Sequence, residues 1–319
     1  MSTDVRTQLE VNTNYFLNLV AFTLLYYEYF ITLELEVSRF WGLRFNVPNV
    51  LFFANRYGML LGTIPIVVQY FWTTEPTPHK HAICQTLHVY HEWFAVVTQT
   101  IIGVMLILRT YALYERNKRV LGLMVFVSLG VIGTSAWSII AGPAAKLGDE
   151  VFQLDLYIGC SSGISFSQSI GLASAWGGMG LFDSTIFILT LYKALSRRTP
   201  GLDLVTVLLR DGSIYFGIIL LVNVANILTY VVATPYTRGA PTTLANVISS
   251  IMISRLNFHL RDPSLSTMSG RFSHSGSATL TNGAMFSTYM DPSTCGGRET
   301  THQRDLNPNG IELEDSLYP

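Results

Sequence analysis

A chain of 319 residues in which 49% of side chains are hydrophobic and only 13% charged, with a mean hydropathy of +0.36, departs from water-soluble domains, where about a quarter are charged. Its apolar excess calls for a lipid solvent, and a net charge of −1 gives no sign of a nucleic-acid surface, the distribution of charge mattering more than its sum. Three cysteines are too few for a disulfide scaffold.

Residues 1–13 carry Asp4, Arg6 and Glu10 in place of the basic start of a signal peptide, so they read as an N-terminal segment ahead of a retained first helix. Apolar runs of about 20 residues, enough to cross a hydrocarbon core roughly 30 Å thick, recur at 14–33, 47–72, 82–108, 120–141, 171–192, 213–233 and 240–258. They predict an all-α polytopic membrane protein, a seven-transmembrane-helix bundle over 14–261. The first run contains Glu28 and the last is polar, so these two are the weakest. From 262 to 319 the chain is rich in Ser, Thr, Gly and Asn and reads as a disordered C-terminal tail.

Lys and Arg favour cytosolic loops. Arg39 and Arg44 follow the first run, Arg109 to Arg119 the third, Lys193 to Arg210 the fifth, and Arg255 and Arg261 close the seventh. The other side holds only Arg6, Lys80, Lys146 and Arg238, together with Asp149, Glu150 and Asp155. This bias puts the N-terminus outside and the tail in the cytosol, with the plasma membrane the expected location. The hydroxyls of the tail would suit a cytosolic kinase or signalling partner, or simply solvate it.

The segment from Tyr26 to Tyr57 places Tyr27-Glu28, Thr32-Leu33, Glu36-Val37, Trp41, Leu51-Phe52 and Asn55-Arg56-Tyr57 in order. This pattern resembles a fungal membrane family defined by the domain of unknown function 6533, with the family-defining segment at about 20–62. Glu28 stands where that family more often has Asp. The stretches "LRTYALYERNKR" from Leu108 and "ISRLNFHLR" from Ile253 resemble the exits of its third and last helices. The resemblance implies the topology and supplies no activity.

Ionisable groups at membrane depth cost about 2.5–3.5 kcal/mol each and mark candidate sites. Glu28 and Arg56 lie at similar depth near one end of the first two helices and are expected to pair, as a structural clamp or as a switch. Cys84, at the outer start of the third helix, and Cys160, in the longest outer loop, are expected to form a disulfide, the alternative being two free thiols. Such a bridge would pin that loop over the bundle. His81, Cys84, His88 and His91 share one helical face, but four ligands spread over three turns of a straight helix cannot surround one metal ion, so no metal is assigned.

Glu92 and Gln99 on the third helix, Asp183 on the fifth, Asn223 and Asn226 on the sixth and Asn246 on the seventh are expected near the midplane, where they form a candidate polar pocket. Carboxyls there fit a cationic ligand or a proton relay, while the plainer alternative is hydrogen bonding between helices. The seventh helix lacks a Lys for retinal, and no facing histidines suit haem, so no cofactor is expected. No catalytic motif is present. Three functions remain: a receptor-like or sensory protein that binds a small-molecule ligand, a small solute transporter, and a structural membrane protein. The transporter reading expects matching breaks in two halves, yet prolines interrupt the second helix and neither the fifth nor the sixth.

Overall fold

The computed structural model describes residues 3–42, 46–145, 157–160, 163–196 and 213–261. The expected tail, the arginines from Arg197 to Arg210 and the acidic residues Asp149, Glu150 and Asp155 lie outside the described residues. All regular structure among the described residues is helical: α1 (Thr3–Ile31), α2 (Leu33–Phe40), α3 (Val47–Gly62), α4 (Ile64–Phe71), α5 (Pro78–Leu113), α6 (Lys118–Ala145), α7 (Phe166–Ser196), α8 (Ser213–Val232) and α9 (Thr242–Leu260).

One break falls at the end of the first apolar run, 14–33, and a second divides the run at 47–72. Thr32 turns its hydroxyl back onto the Glu28 carbonyl at 2.6 Å, and α2 leaves α1 at 50°, the bend that hydroxyl back-bonding favours. Pro65 has no amide to donate, and α3 ends at Gly62 with α4 starting two residues on. There Thr63 bonds the Met59 carbonyl at 2.9 Å, and Tyr90 from α5 donates to the Gly62 carbonyl at 2.9 Å. The helix α5 starts with Thr77 accepting from the Lys80 amide and Pro78 in the first turn. Its 36 residues span about 54 Å, well beyond a hydrocarbon core.

Among the described residues, five spans are long and apolar enough to cross a bilayer: α3 with α4, α5, α6, α7 and α8; the bent α1–α2 pair brings the number to six. Their outward faces carry Phe126 and Trp137 on α6, Leu181 and Ile188 on α7, and Leu221 and Val232 on α8, all more than 60% exposed. Such a belt belongs against lipid, and the chain is a multi-pass membrane protein. The helix α9 does not reach the same apolarity, and its place in the bundle gives the reason. It packs against α1, α2, α3, α5 and α8 and buries Thr243, Asn246, Ser249, Ser250 and Ser254 among its neighbours. Its polar side chains meet protein, so they need not be lipid-compatible.

Candidate functional site

A cavity of about 500 Å³ opens between α5, α6, α7 and α8, with α1 at its side, within the roughly 300–1,000 Å³ of small-molecule sites. Its roof is built from loops. Cys84 on α5 is bonded to Cys160, and the strand-like stretch before Cys160 lies across the end of α4. Thr74 donates to the Tyr157 carbonyl at 3.1 Å, Gly159 to Trp72 at 2.8 Å and Cys160 to Gln69 at 2.8 Å. Lys80 caps the stretch by donating to the Thr74 and Tyr157 carbonyls at 2.8 and 3.1 Å. Gly159 has φ +69°, and a Cβ there would stand 2.3 Å from the Tyr70 carbonyl oxygen. Only glycine meets both conditions.

The α8–α9 turn supplies the other half of the roof. Ile164 donates to the Pro235 carbonyl at 2.9 Å, and Arg238 returns a bond to the Ile164 carbonyl at 2.9 Å. Asn14 on α1 reaches the Tyr236 carbonyl at 2.7 Å. Burial and the nearby Glu10 carboxylate push the Tyr236 phenol up, so it lines the cavity as a neutral hydroxyl.

Inside, Glu92, Ala95 and Gln99 follow one another along the cavity face of α5, facing Trp176 of α7 and Tyr230 of α8. Tyr230 shares a hydrogen bond of 2.9 Å with Thr242 at the start of α9, and Thr242 in turn donates to Asn226 at 3.2 Å. One turn deeper, Gln99 donates to Asn246 at 2.8 Å. His91 and Thr243 lie 3.3 Å apart, and Gln69 and His88 3.1 Å apart. Cys84 is taken up in the disulfide, and no group of three His, Cys, Asp or Glu converges on a metal position among the described residues.

The six residues expected in one pocket therefore separate. Glu92 and Gln99 line the cavity, while Asn226 and Asn246 bond its lining side chains from behind. Asp183 and Asn223 do not line it; they bond each other between α7 and α8, seven residues beyond Trp176 and Tyr230 and thus about 10 Å deeper. Their facing directions on two adjacent helices satisfy one another, which depth alone does not reveal.

The expected Glu28–Arg56 pair is not the one formed. Glu28 takes both arms of Arg255 from α9, at 2.6 and 2.7 Å. Arg56 instead lies 2.6 Å from Glu36, donates to the Tyr29 carbonyl at 2.9 Å and covers the Tyr29 ring at 4.9 Å. Tyr57 and Trp41 both donate to Glu36, at 2.7 and 3.1 Å. The 50° bend at Thr32 carries Glu36 back over α3, and α9 stands beside α1 with its own arginine. Phe40, Phe52 and Phe258 close this end, with Phe40 stacked on Phe52 at 3.7 Å.

Sequence reasoning missed Trp176, Tyr230, Tyr236 and Arg238 in the cavity, and Glu36 and Arg255 at the opposite end. A usable signal existed for two of them: Trp176 precedes Asp183, and Tyr230 follows Asn223, by seven residues, which is the same helical face.

Residues 16–61 match a family described as a family of unknown function (DUF6533). The match runs through α1, α2 and α3 and contains Glu28, Glu36 and Arg56, the charged core of the end opposite the disulfide. No curated protein and no solved structure matches the chain.

Proposed function

We propose that this multi-pass membrane protein, a carrier of the DUF6533 segment, is a receptor-like or sensory protein of seven spans, with bent α1–α2 as the first and the protein-enclosed α9 as the seventh. The observation that carries the reading is the course of α9. Its first turn bonds the cavity wall through Thr242, its second bonds Gln99 through Asn246, and its fourth holds Glu28 through Arg255. A ligand that favours one position of α9 would bias the ion pair about 20 Å away, 13 residues along the same rigid rod, by shifting a population. The basic loops at that end and the Ser/Thr-rich tail fit a cytosolic partner or kinase, and the plasma membrane fits a disulfide formed in an oxidising compartment.

The test uses full-length protein in nanodiscs and a panel of small amines, alcohols and carboxylates. Binding that stabilises the wild type and is lost in Ala95→Phe and in Ala175→Phe, each checked for its unliganded melting temperature, supports a ligand cavity. Labels on α9 near Arg255 should then report a shift on binding.

The interruption at Thr63–Pro65 favours one second reading, a small transporter, since such breaks serve solute passage. Proteoliposome uptake separates the two: flux that depends on Asp183 rejects the receptor reading, and binding without flux rejects the transporter.

A further inference from the structure

Most polar side chains of the cavity wall are bonded to one another or to the protein behind them. Gln99 donates to Asn246 at 2.8 Å, and Thr242 lies 2.9 Å from the Tyr230 hydroxyl and donates to Asn226 at 3.2 Å. His91 and Thr243 are 3.3 Å apart, His88 and Gln69 3.1 Å. Tyr15 donates to the Ile158 carbonyl at 2.6 Å and Thr100 to that of Val96 at 2.7 Å. Arg238 is divided between the Ala233 and Ile164 carbonyls at 3.2 and 2.9 Å. Glu92 and Arg238 are the carboxylate and the guanidinium of the lining, so its formal charge is balanced.

The surface between these groups is apolar. Helices α6 and α7 contribute Val131, Ile132, Leu172, Ala175, Trp176 and Met179, and Ala95, Trp176 and Tyr230 form a buried cluster with Ile164 and Leu172 packed against it. A charged guest would exchange its hydration for groups that already have partners, whereas an apolar body gains by leaving water. Toward the roof the lining changes. Gln168 near the start of α7 brings an amide and Tyr236 in the α8–α9 turn a hydroxyl. Gln168 lies seven residues before Ala175, about 10 Å further out along the helix.

We propose that the cavity binds a neutral molecule with a hydrocarbon body and one hydrogen-bonding end, an alcohol in the simplest case. The body lies along the apolar side of α6 and α7, and the hydroxyl points to Gln168 and Tyr236 at the roof. The inference rests on the ligand-cavity reading above and adds the polarity and the orientation of the occupant.

Isothermal titration of the full chain in nanodiscs, with the heat of empty nanodiscs subtracted, compares geraniol with geranylamine and geranate, which share its body and differ in charge. Geraniol is expected to bind at least about tenfold more tightly than either ion, the scale of one buried group left without a partner. Ala175→Phe should abolish its binding. Gln168→Ala should weaken it about three- to tenfold, the scale of one hydrogen bond, and leave the hydrocarbon myrcene unaffected. Binding of the amine or the acid as tight as that of geraniol overturns the proposal, and so does geraniol binding that Gln168→Ala and Tyr236→Phe both leave unchanged. If an ion binds as tightly and Ala95→Phe abolishes it, the cavity reading stands and the neutral occupant falls. If no probe of any charge binds, both fall.

Discussion

Arg255 lays both arms of its guanidinium on Glu28, Nε to Oε1 at 2.6 Å and Nη2 to Oε2 at 2.7 Å, across 227 residues of chain. The carboxylate is nearly buried and the arginine side chain 45% exposed, so the pair sits where protein gives way to the membrane surface. It ties the last turns of α9 to α1 in the bidentate geometry that only arginine supplies.

Arg255→Gln is expected to destabilise the protein by about 1–3 kcal/mol, the loss of a charge-assisted contact moderated by the exposure of one partner. Arg255→Lys should fall between, and the reversed pair Glu28→Arg with Arg255→Glu should recover part of the loss. Thermal unfolding in nanodiscs reads these three variants beside the single reversals Glu28→Arg and Arg255→Glu; a reversed pair as unstable as either single reversal would sink the direct contact.

The second pair is the deeper one, with Arg56 6% and Glu36 0% exposed in their side chains. Arg56→Met leaves Glu36 charged and buried and should cost about 3–5 kcal/mol. The double variant Glu36→Leu with Arg56→Met should be less destabilised than Arg56→Met alone, because no orphaned charge remains. A double variant that is simply worse by the sum would reject the pairing.

Cys84 and Cys160 are 76 residues apart in the chain, and losing their bridge should cost about 2–4 kcal/mol. Cys84→Ser, Cys160→Ser and the double variant should melt at the same temperature, since each removes the same bond. Non-reducing peptide mapping of the wild type should yield the two cysteines in one linked product.

Gly159→Ala forces a side chain into φ +69° and against the Tyr70 carbonyl. A loss of about 1–3 kcal/mol is expected, together with weaker binding of any cavity ligand, as the roof shifts. An unchanged melting temperature would mean that the 157–160 stretch does not lie against α4 as described.

Asp183→Asn should leave ligand binding in the cavity within about twofold, because the residue bonds Asn223 below the cavity floor. Asp183→Leu removes the acceptor of a buried amide and should cost about 1–3 kcal/mol. Titration and melting of the two variants side by side separate a structural bond from a ligand contact.

The sequence by itself determined that this chain lives in a bilayer and where most helices lie, because the length and apolarity of a run answer to the solvent around it and need no partner. It also singled out Glu92 and Gln99, and the 26–57 segment, through polar residues that are costly at membrane depth and a recognisable pattern. What only the tertiary structure decided was which groups meet. Glu28 and Arg56 lie at matching depths, yet a bend at one threonine brings Glu36 to Arg56, and the neighbouring α9 brings Arg255 to Glu28. Asp183 shares the helical face of Trp176 but lies about two turns below the cavity, bonded to Asn223. Depth along a helix is written in residue spacing, whereas the choice of neighbour depends on bends and on which helix stands beside which, and those follow from packing the whole bundle at once.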